Sequence, residues 1–179
     1  MTRKALPRRR SPRLTHYDYA GPGAYFVTLC TRHHACLFGH IEQGRMSLNA
    51  IGDIIDTTWH WLGDHHEHIV LDEQVIMPNH LHGIIFLTDQ QAARSPIPHK
   101  PLGRLIGAFK AVSTRRVKEL PHPPERLWHR NYWDRVIRNQ QELDTVREYI
   151  RNNPLKWELD RLNPEHRTSV RSPPERRMR

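Results

Sequence analysis

The chain has 179 residues, with 28 Lys or Arg against 19 Asp or Glu and a formal charge of +9. That length suffices for one domain with a packed core, and the charge favours an anionic partner, nucleic acid first. Two cysteines, Cys30 and Cys36, exclude a disulfide framework and a CxxC zinc site, and no apolar run reaches membrane-spanning length. The N-terminal MTRKALPRRRSPR carries no secretory-type apolar run, so a cytoplasmic location is expected.

Residues 1–20 read as a basic, disordered arm. After the breaker Gly21-Pro22-Gly23, the β-branched and aromatic run Ala24 to Arg32 predicts the first strand. Cys36-Leu37-Phe38 and Arg45 to Leu48 suggest a small hairpin. Asn49 is a plausible N-cap for a helix to Asp64, with Ile51, Ile54, Ile55, Thr58, Trp59 and Leu62 at helical spacing. Two strands follow, Ile69 to Met77 and His80 to Leu87, turning at Pro78-Asn79.

Residues 88–100 lack periodicity and predict a mobile linker. A second helix spans Pro101 to Leu120, with Leu102, Leu105, Ile106, Phe109, Val112 and Val117 as its buried stripe. Leu127 to Ile137 reads as a strand, and Gln141 to Asn152 as a third helix stopped by Pro154. Beyond Trp157 the composition predicts a disordered basic Pro/Arg tail, so the domain proper is set at 21–160 and the tail at 161–179. The order strand, helix, two antiparallel strands, helix, strand suits an α+β, ferredoxin-like βαββαβ sandwich, with an antiparallel sheet and helices on one face.

Within VIMPNHLHGIIFL, His80 and His82 sit one residue apart at the start of an apolar strand. Strand alternation sends both imidazoles to one face and Leu81 to the other, an arrangement able to bind one metal ion. A histidine pair at a sheet edge can equally be held by hydrogen bonds alone. Tyr149 and Asn153 lie four apart near a helix end. By themselves they also suit packing and a helix stop.

The combination is more specific. The strand PNHLHGII, a basic helix with GAFK and TRR, and WHRNYWDRVIRNQQELDTVREYIRNNPLKW resemble the single-tyrosine HUH transposases. Within them, the chain is most similar to the REP-associated tyrosine transposases, over residues 25–157. The resemblance implies that His80 and His82 bind a divalent cation, Mg²⁺ or Mn²⁺. It implies that Tyr149 is the nucleophile and that Asn153 supplies a further polar ligand, where the insertion-sequence branch commonly has glutamine. The expected activity is metal-dependent nicking and rejoining of single-stranded DNA at REP-like hairpins through a 5′-phosphotyrosine. It is expected of a monomer, as in the REP-associated branch, with a dimer, as in the insertion-sequence branch, the alternative. Lys110, Arg115, Arg116, Arg130 and Arg151 are candidates for phosphate contacts, and Trp128, Tyr132 and Trp133 for stacking on unpaired bases. Other readings of the same residues are a catalytically silent hairpin-binding protein and a metal-dependent hydrolase that activates water.

Overall fold

The computed structural model describes residues 21–88 and 101–169. The arm over 1–20, nearly all of the linker, and residues 170–179 of the tail lie outside the described residues.

Strand β1 (Gly23–Cys30) leads through a 3₁₀ turn, Arg32–His34, to the hairpin β2 (Gly39–Glu42) and β3 (Arg45–Leu48). Helix α1 (Ala50–Asp64), strands β4 (Ile69–Met77) and β5 (His80–Leu87), helix α2 (Leu102–Val117) and strand β6 (Trp133–Ile137) follow. Helix α3 (Gln140–Asn152), a 3₁₀ segment (Pro154–Leu159) and the short α4 (Pro164–Ser169) complete the described chain. The main sheet is antiparallel throughout, in the order β4-β5-β1-β6. With the hairpin set aside, this is the expected βαββαβ, ferredoxin-like arrangement.

Local chemistry explains most boundaries. The Asn49 side-chain oxygen accepts from the amides of Ile51 and Gly52 at 3.0 Å each, so α1 begins where its orphan N–H groups find a partner. Asn139 does the same for α3, accepting from the Glu142 amide at 2.9 Å. The β2–β3 turn places Gln43 and Gly44 at positive φ, 49° and 71°, the geometry a two-residue hairpin turn requires.

The two faces of the sheet carry different loads. Tyr25, Val27 and Leu29 of β1 and Leu81 and Ile85 of β5 point into the main core, under Trp59 of α1 and Phe109 of α2. The alternate residues face the other way. There Phe26 and Ile84 pack with Leu143, Val146 and Ile150 of α3. The two crossover helices therefore share one face, as expected, while α3, which follows the βαββαβ unit, covers part of the other.

Three expectations need correction. The first arm of the hairpin is Gly39–Glu42 and not Cys36 to Phe38. Phe38 is instead buried, its amide donating to Pro78 O and its carbonyl accepting from Asn49 N. The last strand begins at Trp133, not Leu127. The Lys110 ammonium takes the carbonyls of His129 and Asn131, each at 2.9 Å, and the Trp128 indole N–H donates to Ser113 Oγ at 2.9 Å. Residues 127–129 still bridge the end of β1, with Arg32 N–H donating to Leu127 O and His129 N–H to Cys30 O at 2.9 Å each. The strand is interrupted between there and Trp133, where Lys110 takes the carbonyls. Finally, the chain beyond Trp157 does not dissolve into a tail. Through residue 169 it folds back on the domain, with Asn163 buried and Leu162 O accepting from the Asn79 side chain.

Candidate active site

On the face of β5 that looks toward α3, His80 and His82 are both buried, their ring centroids 4.5 Å apart. Asn79 fixes the orientation of the first. Its side-chain N–H₂ donates to His34 O at 3.0 Å and Leu162 O at 2.7 Å, so its oxygen is the atom that faces His80 Nδ1 at 2.8 Å. An oxygen there can only accept, so the imidazole carries its proton on Nδ1 and a lone pair on Nε2. That Nε2 is buried and makes no hydrogen bond.

His82 is held by Thr28, whose hydroxyl lies 2.9 Å from Nδ1, and by Phe26, whose ring stacks on it at 5.1 Å. Its Nε2 faces the Tyr149 hydroxyl at 3.3 Å. Burial pushes the His82 imidazole down to about 3. Burial, with the neighbouring His82 and His34, also holds His80 well below its ordinary value. Both rings are therefore neutral at physiological pH, the form that ligates metals.

The 3₁₀ segment after α3 delivers an acid to the same spot. Asp160 Oδ2 lies 3.9 Å from His80 Nε2, and ligand atoms of His80, His82 and Asp160 all fall within 4.8 Å of one another. Asp160 Oδ1 accepts from the Leu162 amide at 2.7 Å, which fixes the carboxylate. Burial raises the Asp160 pKa, and the Leu162 amide and His166 oppose that shift. Asn153 closes the end of α3 and is buried, and its side-chain oxygen makes no hydrogen bond. Two neutral imidazoles, one with its Nε2 unpartnered, a carboxylate and the unpartnered Asn153 oxygen are a fitting donor set for a divalent cation.

Tyr149 stands at the mouth of this cluster, 44% exposed. Burial of the phenol and the charge of Asp160 raise its pKa, while the Asn153 amide works the other way. The hydroxyl opens on a cavity of about 620 Å³ lined by Thr28, His82, Trp133, Tyr149, Lys156 and Asp160, among others. A site of this composition can bind a phosphate group between a cation and an oxygen nucleophile.

The structure thus brings together His80, His82, Tyr149 and Asn153, and adds Asp160, Asn79 and Thr28, which sequence reasoning missed. Asp160 had no detectable signal, standing at the start of a Pro/Arg-rich stretch without periodicity. Of the remaining expected contacts, all but Trp133 lie away from the cavity. Lys110, Arg115 and Arg116 belong to α2, across the sheet, where Lys110 binds backbone carbonyls and Arg116 donates to Thr58 Oγ1 at 3.1 Å. Trp128 packs edge-on against Phe38, and Tyr132 packs on the same core. Arg130 is exposed on the loop before β6, and Arg151 donates to Glu73 at 2.9 Å. Trp133 alone of the expected aromatics lines the cavity.

No family model matches the chain. An uncharacterized protein of Haemophilus influenzae is 38% identical over 167 residues, covering 86% of this chain and 92% of that protein. Among solved structures, that of a REP-associated tyrosine transposase bound to a REP hairpin superposes with a TM-score of 0.57 at 17% identity, over 80% of this chain and 72% of the other. Among the described residues, no helix is long and apolar enough to cross a membrane. The chain belongs to the same family as the Haemophilus influenzae protein, and its antiparallel α+β fold is that of the REP-associated tyrosine transposase.

Proposed function

We propose that this chain is a REP-associated, single-tyrosine transposase that nicks and rejoins single-stranded DNA at REP-like hairpins. The observation that carries this reading is the Tyr149 hydroxyl 3.3 Å from His82 Nε2, above the cluster of His80, His82 and Asp160. A core-packing tyrosine has no need of two buried, neutral histidines and an orphaned acceptor beneath it. The fold relative adds support, since that protein is bound to a REP hairpin.

His80, His82 and Asp160, with Asn153 beside them, would hold Mg²⁺ or Mn²⁺, which would neutralise charge on the non-bridging oxygens of a bound phosphodiester. The protein residues do the rest. Tyr149 Oη attacks phosphorus, forming the Oη–P bond as the P–O3′ bond breaks. The phenol proton is released, and the departing 3′ oxygen is protonated to a free 3′-OH. The Asn153 amide, which favours the ionised phenol, is the neighbour placed to ease that loss. The phosphotyrosine retains the bond energy, so a second 3′-OH can attack it and rejoin DNA without a nucleotide cofactor. One chain carries every group named here, in keeping with action as a monomer.

The test is a denaturing gel of the protein with a labelled single-stranded REP hairpin, in Mn²⁺ or EDTA, beside Tyr149→Phe. A slow covalent band that needs metal and disappears in the variant is the expected result. Tight binding with no band in any metal would make the protein a hairpin binder, and cleavage that survives Tyr149→Phe would make it a hydrolase.

A further inference from the structure

Trp133 occupies an unusual place. In the sheet register His82 pairs with Thr28, and Thr28 pairs on its other side with Trp133. The three residues form one row across β5, β1 and β6, all toward the cavity, so the indole stands two strand spacings, about 10 Å, from the candidate metal ligand. Trp133 lines the cavity with Tyr149 and is still 44% exposed. A tryptophan seldom leaves so much apolar surface in water beside a polar cluster without a use for it.

The indole is also braced. The His129 ring lies beside it, nearly parallel, with centroids 5.8 Å apart and an interplanar angle of 14°. His129 is fixed through its backbone: its N–H donates to Cys30 O at 2.9 Å, and its carbonyl accepts from Lys110 Nζ at 2.9 Å. The same ammonium holds Asn131 O, and Trp128 anchors the segment to Ser113 of α2. The loop before β6 is therefore set without any ligand, and little ordering entropy remains to be lost when one arrives. Lys156 and Arg161 line the same cavity and bring positive charge to it.

We propose that the Trp133–His129 pair is a stacking platform for an unpaired base next to the scissile phosphate, with Lys156 and Arg161 meeting the strand's backbone. The platform presupposes the single-stranded substrate proposed above. Stacking on an aromatic face with cations along the backbone is how single strands are held without sequence readout, since every base has a π face. Lys110 then acts as a positioning residue for the platform and not as a phosphate contact.

The test uses full-length Tyr149→Phe protein, so that binding is read without cleavage. The probe is a REP-type DNA hairpin whose unpaired flank carries 2-aminopurine at each position in turn. Fluorescence should be quenched on binding at one flank position. Adding Trp133→Ala should abolish that quench and weaken binding roughly ten- to hundredfold, the range for losing one base–aromatic stack. Trp133→Phe should retain most of both. Affinity for a blunt duplex of the hairpin stem should not change. Should Trp133→Ala melt early, Trp133→Leu keeps the apolar bulk without the indole and carries the same expectation. Hairpin binding and quenching that persist in both variants would overturn the platform and leave the nicking proposal standing. No hairpin binding by the Tyr149→Phe protein itself would overturn both.

Discussion

Arg147 closes on Asp72 with both arms of its guanidinium, Nε on Oδ1 at 3.0 Å and a terminal nitrogen on Oδ2. The acceptor sits where the register of β4 against β5 shifts between Leu71 and Gln74. The next residue, Glu73, takes Arg151 at 2.9 Å. Two consecutive acids of an irregular strand thus grip α3 two residues before and two residues after Tyr149. Apolar contacts of Leu143, Val146 and Ile150 seat the helix, and the ion pairs set how it is rotated. A phenol that must approach phosphorus in line is sensitive to that rotation.

Asp72→Asn keeps the size of the side chain but cannot accept from both arms of Arg147. Formation of the covalent DNA adduct should slow ten- to a hundredfold, the scale of a small misplacement of a reacting group. Hairpin affinity should hold, and Mn²⁺ affinity should fall much less than the adduct rate. Of the candidate ligands only Asn153 rides on α3, while His80, His82 and Asp160 do not touch the pair. Single-turnover adduct kinetics beside equilibrium binding separates the two. An unchanged adduct rate would show that packing alone orients the helix.

The same pair has a pH signature. The hydrogen-bonded Arg147 guanidinium holds the Asp72 carboxyl below its ordinary value, with the Glu73 amide acting in the same direction and burial opposing both. A carboxyl whose folded pKa is depressed contributes its stability in full above the unfolded value, about 3.9, and loses it as pH falls through the lower folded value. The difference in melting temperature between the parent protein and Asp72→Asn should therefore be constant near neutrality and shrink below about pH 4. A difference that stayed level into acid would remove the ion pair from the account.

The histidine row was legible because alternation along a strand needs only local sequence, and the caps at Asn49 and the stop at Pro154 are equally local. Asp160 was not. It reaches His80 through a fold-back of the chain, fixed by the Leu162 amide and by Leu162 O on Asn79, contacts that no periodicity announces. Lys110 failed for the opposite reason. On a helix wheel it is one more exposed cation, and only the tertiary position of the 128–132 segment supplies the two carbonyls that claim it. Trp128 and Trp133 are alike in sequence, and the end of β6 alone decides that one enters the core and the other the cavity.

Asn79 governs the first histidine without touching a substrate. Its oxygen keeps the His80 proton on Nδ1 and leaves Nε2 free, and its N–H₂ ties two loops. Asn79→Ala should lower Mn²⁺ affinity ten- to a hundredfold, the usual cost of losing the group that orients a metal-binding histidine. Calorimetric titration with Mn²⁺ measures it. Equal affinity would mean that strand geometry alone holds the imidazole.

Asp160 and Asn153 are separable as ligands. A hard cation favours an anionic oxygen over an amide, so Asp160→Asn should weaken Mn²⁺ binding by at least about tenfold, and more than Asn153→Ala does. The asparagine can still accept from the Leu162 amide, so the local turn should survive. The reverse order of the two effects would place Asn153, and not Asp160, next to the metal.

Gly83 links the site to the core behind it. It lies in β5 between His82 and Ile84, and a Cβ there would come within 2.4 Å of Trp59 Cζ2 and 2.8 Å of Cη2. Trp59 has no room to retreat, being fully buried and packed edge-on against Phe109 at 5.6 Å. Gly83→Ala must therefore move either the indole or the strand. Overpacking of this kind costs about 1–3 kcal/mol, which denaturant unfolding resolves. If the strand is what yields, His82 moves with it, and Mn²⁺ affinity should fall beyond what the stability loss explains. Lost stability with intact metal binding would locate the adjustment in Trp59 and α1, and unchanged stability would contradict the packing described here.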